Sequence, residues 1–153
     1  MKTISTLSTD DLEEVYKIEL LCHAIPWSKK TLASNQGEHY LNLKIEINHQ
    51  IVGFCICQNV ADEANLFNIA IHPQFRGQGL AKDLLNNLIE RLLQITSPHV
   101  IKTLWLEVRE SNYPAIELYN SVGFNEITVR KNYYPTVSGE QEDAIIMAYT
   151  LAL

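Results

Sequence analysis

The chain lacks most of the features that would set it apart from an ordinary globular protein. Only three of its 153 residues are cysteines, an odd and sparse set without metal-ligand spacing. We therefore expect neither a disulfide framework nor a metal site. The N-terminus has no signal-peptide core, and no apolar run approaches the length that spans a membrane. These absences predict a cytoplasmic protein with no membrane partner.

Positive charge is also scarce. The chain has 12 Lys and Arg against 18 Asp and Glu, which gives a net charge of −6. This balance argues against nucleic acid as a partner and is compatible with a cationic substrate or a basic protein. Repeats, low-complexity tracts and linkers are absent as well. At this length and 46% hydrophobic content, residues 1–153 are expected to form a single domain.

Hydrophobic periodicity predicts strands and helices along the whole chain. Strands are expected over 2–5, 41–47, 51–60, 65–71, 103–109, 125–133 and 144–150. Helices are expected from Ser8 or Thr9 to about residue 23, and over 29–34, 80–94 and 112–123. The order β-α-α-β-β-β-α-β-α-β-β predicts an α/β fold in which helices cover both faces of one mixed sheet.

The most specific segment joins a strand to the helix beginning at Leu80. Gly77 and Gly79 permit a tight turn and a close approach of the backbone to a ligand. The start of the helix directs unpaired N–H groups and the positive end of its dipole into this turn. Arg76 and Lys82 add positive charge. The segment therefore predicts a site for a phosphate or a pyrophosphate.

Two common phosphate-binding motifs do not fit this segment. The P-loop needs Gly-Lys-Ser/Thr, which is absent, and the dinucleotide fingerprint needs a third Gly or Ala where Lys82 stands. Residues 76–81 read Arg-Gly-Gln-Gly-Leu-Ala and match Arg/Gln-x-x-Gly-x-Gly/Ala. This pattern resembles the acyl-CoA pyrophosphate loop of the GCN5-related N-acetyltransferases (GNAT). A second register starting at Gln74 also matches, but the first places the small Ala81 on the helix.

The predicted order of elements is similar to that of the GNAT family from end to end. The resemblance implies the GNAT fold with a largely antiparallel sheet, and acetyl-CoA as the co-substrate. It also implies that one strand separates from its neighbour, so that free backbone amides hold the acetyl group and the pantetheine arm. A fully paired strand is the alternative. The residues expected to contact acetyl-CoA are Ile69, Ala70, Ile71, Arg76, Gly77, Gln78, Gly79, Leu80, Ala81, Lys82 and Asn112.

Two side chains are candidates for proton transfer. Glu107 lies on the face of its strand opposite the apolar residues, and the resemblance implies that it is the general base. Residues 112–124 resemble the family's Asn-x-x-Ala-x-x-Leu-Tyr-x-x-x-Gly-Phe pattern, in which Asn112 contacts the CoA arm and Tyr119 acts as general acid at the thioester sulfur. The alternatives are a water-facing acid, a packed tyrosine and a helix-capping asparagine. The histidines are scattered, and none is assigned a role.

The segments at 22–28 and 130–135 resemble the branch of the family that acetylates protein N-termini. This resemblance implies that the acceptor is the N-terminal alanine of the eighteenth small-subunit ribosomal protein. Pro26, Trp27, Tyr133 and Tyr134 are expected to form a groove for the peptide end, although Trp27 is equally explained as a core residue. A lysine, polyamine or antibiotic acceptor and a non-catalytic acyl-CoA sensor are the alternatives.

Overall fold

The computed structural model describes residues 1–153 and has helices on both faces of one seven-stranded sheet. The strands are β1 (Lys2–Thr6), β2 (Leu43–Ile47), β3 (Gln50–Val60), β4 (Glu63–Ile71), β5 (Thr103–Arg109), β6 (Asn125–Pro135) and β7 (Gln141–Thr150). The α-helices are α1 (Leu12–Cys22), α2 (Lys29–Ser34), α3 (Leu80–Leu93) and α4 (Tyr113–Val122). The predicted α/β fold and its order of elements are confirmed.

The strands lie in the order β1-β2-β3-β4-β5-β7-β6. Only β4 and β5 are parallel, because α3 carries the chain from the end of one strand back to the start of the other. All other neighbours are antiparallel, as expected.

β4 and β5 separate half-way along their length. Their pairing runs from Glu63 opposite Thr103 to Leu66 opposite Leu106 and then stops. On its other edge, β4 stays paired with β3, but the register skips Phe67. Such a bulge bends the strand that carries it, which turns β4 away from β5. The sheet therefore opens in its middle, and the alternative of a fully paired β4 is wrong.

Side chains alternate between two hydrophobic cores along β3. Cys55 and Cys57 face the larger core, to which α3 contributes a leucine stripe, and both remain free thiols. Phe54 and Ile56 face the smaller core beneath α1 and α2. The central strands are therefore covered on both faces.

The ends of several elements differ from the sequence predictions for local reasons. α1 begins only at Leu12, because Thr9–Asp11 forms a 3-10 turn in which Asp11 accepts a bond from the Ser8 N–H at 2.8 Å. Ser28 caps α2 as predicted, and its hydroxyl accepts from the Thr31 N–H at 3.1 Å. The outer hairpin is longer than expected, since pairing continues to Pro135 opposite Gln141.

Two features are absent from the structure. No helix combines the length and the apolar character needed to cross a bilayer. No three His, Cys, Asp or Glu side chains come together as the ligands of a metal ion would.

Candidate active site

The opening between β4 and β5 is flanked by two adjoining cavities. The first, of about 590 Å³, lies between β4 and the N-terminal ends of α3 and α4. The second, of about 530 Å³, lies between β5, Tyr134 of β6 and the segment that joins α1 to α2. The residues that line both are Cys22, His23, Ile69, Asn112 and Tyr119. A molecule that fills the first cavity can therefore reach the second past Tyr119.

The first cavity contains the predicted anion site. Gly77 and Gly79 have φ angles of +81° and +76°, in the left-handed region that favours glycine. α3 starts directly afterwards, and the Asp83 N–H donates to the Gly79 carbonyl at 3.1 Å. The N–H groups of residues 80–82 precede this bond and have no acceptor within the helix. These three residues line the cavity, so their amides and the helix dipole are available to a phosphate.

Arg76 is held at the end of β4. Its Nε donates to the Ile71 carbonyl at 3.1 Å, and the Cys22 thiol approaches the same oxygen at 3.2 Å. Burial raises the pKa of the Cys22 thiol, which keeps it a hydrogen-bond donor. Arg76, Gly77, Gly79 and residues 80–82 all line the cavity, whereas Gln78 of the predicted loop does not.

Successive backbone N–H groups of β4 point alternately toward β3 and toward the opening. The His72 N–H donates to the Val52 carbonyl at 2.7 Å, which fixes the register of the hydrogen-bonded pairs. Because such pairs alternate in an antiparallel ladder, the N–H groups of Ile69 and Ile71 point away from β3. They point to the side where pairing with β5 has ended. Of the three predicted β4 positions, Ala70 alone directs its amide at β3, although it still lines the cavity wall.

Tyr119 stands where the two cavities meet. Its side chain is only 6% exposed, and its ring packs against Phe124 with the centroids 5.7 Å apart. Burial raises the pKa of the Tyr119 phenol, with smaller contributions from Tyr134 and Cys55. The hydroxyl therefore stays protonated at neutral pH and can donate to a group in either cavity. Tyr119 packs against the core and lines both cavities at the same time. The packed tyrosine is therefore compatible with a tyrosine that contacts a ligand.

Glu107 forms part of the wall of the second cavity. Its side chain is 31% exposed and lies 3.3 Å from Nη1 of Arg130. Tyr134 lines the same cavity and stacks against the guanidinium of Arg109, 4.4 Å from the ring centroid. Burial, then the nearby Glu107 carboxylate, raises the pKa of Tyr134 to about 12. The cavity is thus lined by two carboxylates, Glu19 and Glu107, and by two protonated phenols.

The family model described as acetyltransferase (GNAT) family matches residues 9–124. The chain belongs to this family. It is 54% identical over 153 residues to the ribosomal protein bS18-alanine N-acetyltransferase of Escherichia coli K12, with both chains fully covered. The corresponding protein of Haemophilus influenzae is 53% identical over 148 residues, 97% of this chain and 98% of the relative. The crystal structure of the Escherichia coli enzyme superposes with a TM-score of 0.93, covering 100% of this chain and 96% of that one.

The structure brings two of the four predicted acceptor-groove residues into the second cavity. Trp27 and Tyr134 line the second cavity, but Pro26 and Tyr133 do not. Tyr133 stays on the outer surface, where it covers the Arg130 guanidinium at 4.6 Å and meets Tyr134 edge-on. Pro26 lies in the turn outside the cavity. Asn112 lines both cavities and also caps α4, because its Oδ1 accepts from the Ala115 N–H at 3.3 Å.

Sequence reasoning missed a polar cluster beside the opening. Glu19 is 1% exposed, and its carboxylate accepts from the Trp27 N–H and from Nδ2 of Asn68, each at 2.8 Å. Nε2 of His23 lies 3.2 Å from Oδ1 of Asn68 and 3.4 Å from Oε1 of Glu19. The cluster ties the end of α1 to β4. One sequence signal could have revealed it, because Glu19 is an acid on the buried face of an amphipathic helix.

The anion site makes a testable prediction at Gly79. Replacing Gly79 with Val forces a β-branched residue to adopt a left-handed φ and adds bulk where a phosphate approaches. We expect the affinity for CoA, measured by isothermal titration calorimetry, to fall at least about tenfold.

Gly139 provides a matched control. It also has a left-handed φ, of +89°, and a Cβ added there would meet nothing within 4 Å, but it lies in the turn between β6 and β7. Gly139→Val should show a similar backbone strain in thermal unfolding and an unchanged affinity for CoA. Equal affinities for the two variants would contradict the anion site.

Proposed function

We propose that the chain transfers the acetyl group of acetyl-CoA to the N-terminal α-amino group of a protein, the N-terminal alanine of the eighteenth small-subunit ribosomal protein. The observation that carries this proposal is the 54% identity over the full chain to the Escherichia coli enzyme named for that reaction. Residues 1–153 act as one acetyltransferase domain, in the cytoplasm, where ribosomal proteins are modified. The net charge of −6 suits a basic acceptor.

The first cavity binds acetyl-CoA. The pyrophosphate is held by the free amides of residues 80–82 and by the positive charge of Arg76 and Lys82. The pantetheine arm follows the unpaired edge of β4, and the acetyl carbonyl accepts a hydrogen bond from one of the exposed N–H groups of Ile69 and Ile71. A backbone donor at that place stabilises the oxyanion that forms when the amine attacks. Asn112 contacts the arm from the start of α4.

The second cavity receives the peptide end. Its α-amino group approaches the thioester carbon from the side of Glu107, while the thioester sulfur lies beside Tyr119. Glu107 accepts a proton from the nitrogen, directly or through a water, and Tyr119 donates one to the departing thiolate. An α-amino group titrates near 8, about two and a half units below a lysine side chain, so about a tenth of it is neutral at pH 7, against less than about a thousandth of a lysine. This difference favours an N-terminus over a lysine.

The acceptor is tested with two synthetic peptides. One begins with the alanine end of the ribosomal protein, and the other is identical but blocked at its terminus. Each is incubated with the purified chain and acetyl-CoA, and the product is mapped by mass spectrometry. We expect acetylation of the free terminus only. Equal labelling of both peptides would assign the transfer to a lysine, and labelling of neither would leave polyamines, antibiotics or an acyl-CoA sensor as the function.

The roles of the two proton-transfer residues make a separate prediction. Glu107→Gln and Tyr119→Phe should each lower kcat by about 100-fold, because each removes one proton acceptor or donor. The affinity for CoA should change less than about twofold, since neither residue lines the anion loop.

Two neighbouring positions serve as controls. Glu110 lies just beyond β5 and is replaced with Gln. Tyr113 lies on the exposed side of α4 and is replaced with Phe. Both should retain the turnover of the unmodified chain. A Tyr119→Phe variant with full turnover would refute the general-acid role and would favour the sensor hypothesis.

A further inference from the structure

We propose that His23 is a second proton acceptor in the active site: its Nε2–H is fixed by Asn68 and Glu19, and its free Nδ1 takes the first proton from the acceptor's α-ammonium group. This inference rests on the proposed acetyl transfer. His23 lies at the end of α1 and lines both cavities on either side of the opening. No role in the chemistry described above requires it.

The hydrogen-bond network assigns the tautomer of His23. Nδ2 of Asn68 donates to the Glu19 carboxylate at 2.8 Å, so Oδ1 of the same amide must be the atom that faces His23. Both oxygens near Nε2 are acceptors, at 3.2 and 3.4 Å. Nε2 must therefore carry a proton. In the neutral ring, Nδ1 is then the unprotonated nitrogen with a lone pair.

Nδ1 is accessible to another molecule. It has no hydrogen-bond partner within the protein. It is not buried either, because the only buried side-chain nitrogen or oxygen without a partner is Nε1 of Trp105. The His23 side chain is 37% exposed. An imidazole that is anchored through one nitrogen and open at the other is the usual arrangement of a histidine that accepts protons in catalysis. The partial exposure also gives the proton a route to solvent afterwards.

The reaction provides a reason for two acceptors. An α-ammonium group has three N–H bonds and the amide product has one, so the nitrogen loses two protons. In the first step, one N–H bond breaks, the proton bonds to Nδ1 of His23, and the freed lone pair forms the C–N bond. In the second, the C–S bond breaks, Glu107 takes the second proton from nitrogen, and Tyr119 protonates the thiolate. One of the two protons held by His23 and Glu107 then returns to the Tyr119 phenolate and the other leaves for solvent, so the net product is one proton.

Glu107 is less suited to the first proton. Its carboxylate is already paired with the Arg130 guanidinium at 3.3 Å, whereas Nδ1 of His23 has no partner within the protein. His23 is in contact with no cation. The titratable or charged side chains that line the same two cavities around it are Glu19 and Cys22 of α1, Arg76 before α3, Lys82 of α3, Glu107 and Arg109 of β5, Tyr119 of α4 and Tyr134 of β6. Glu142 of β7 lines a smaller third cavity that His23 also borders.

The test compares His23→Gln with the unmodified chain, using the free-terminus peptide and acetyl-CoA. Glutamine keeps an N–H donor for Asn68 and Glu19 but has no counterpart of Nδ1. We expect unchanged CoA affinity and melting temperature, and a kcat at least tenfold lower. The dependence of kcat on pH should differ in shape between the two proteins, because only the unmodified chain has a ring nitrogen that accepts the proton. His39→Gln, a substitution of an exposed histidine, is the control and should resemble the unmodified chain.

Two further measurements separate chemistry from structure. Added imidazole should restore turnover to His23→Ala and should leave Glu107→Gln unaffected. NMR of the histidine rings in the unmodified chain should show His23 protonated on Nε2 alone when neutral, which needs no variant. An unchanged kcat in His23→Gln, a pH profile of the same shape, or a neutral ring protonated on Nδ1 would overturn the proposal. If Tyr119→Phe still lowers turnover, the acetyl transfer itself stands; if the unmodified chain does not acetylate the peptide, it is the proposed function that fails.

Discussion

The active site depends on the absence of backbone hydrogen bonds between the second halves of β4 and β5. Pairing ends at Leu66 and Leu106, where the bulge at Phe67 turns β4 away. Unpaired backbone groups in a buried strand are costly unless another partner satisfies them. The Ile71 carbonyl is satisfied within the protein by Arg76 and Cys22. The neighbouring N–H groups remain available to a ligand. The bulge therefore both opens the site and supplies its hydrogen-bond donors.

The opening also divides the active site into two cavities with different linings. The first cavity presents a helix N-terminus and cations, which suit a pyrophosphate, whereas the second presents two carboxylates, an imidazole and aromatic rings. Tyr119 lies between them, and its buried phenol stays protonated. The two substrates can therefore meet from opposite sides at one carbon without a covalent enzyme intermediate. Cys22 is an unsuitable nucleophile, because burial raises its pKa and its thiol lies against a carbonyl.

The sequence was sufficient to predict the order of elements and the glycine turn before α3, since both rest on local patterns. Glycines at fixed spacing before a leucine-rich helix have one physical interpretation, and the left-handed φ angles of Gly77 and Gly79 confirm that turn. The separation of β4 from β5 could only be inferred from the family, because a bulge is a matter of register between strands and leaves no residue signature. Which of Ile69, Ala70 and Ile71 direct their amides into the opening follows from the same register.

The cluster of Glu19, His23 and Asn68 lay beyond sequence reasoning for a different reason. Its members come from α1 and β4, almost fifty residues apart, and only the packing of the helix on the sheet brings them within hydrogen-bond distance. Only two of the four predicted groove residues line the cavity, for a related reason. Adjacent aromatic residues such as Tyr133 and Tyr134 do not share an environment, and only one of the two lines the cavity.

Amide hydrogen exchange, followed residue by residue by NMR, tests the separation of the strands most directly. In the free protein, the N–H groups of Asn68 and Ala70 should exchange slowly, because they pair with β3, whereas those of Ile69 and Ile71 should exchange much faster. Saturating acetyl-CoA should then slow exchange at Ile69 or Ile71 more than at their neighbours. Equal protection of all four amides in the free protein, with no selective change on adding acetyl-CoA, would contradict the open sheet.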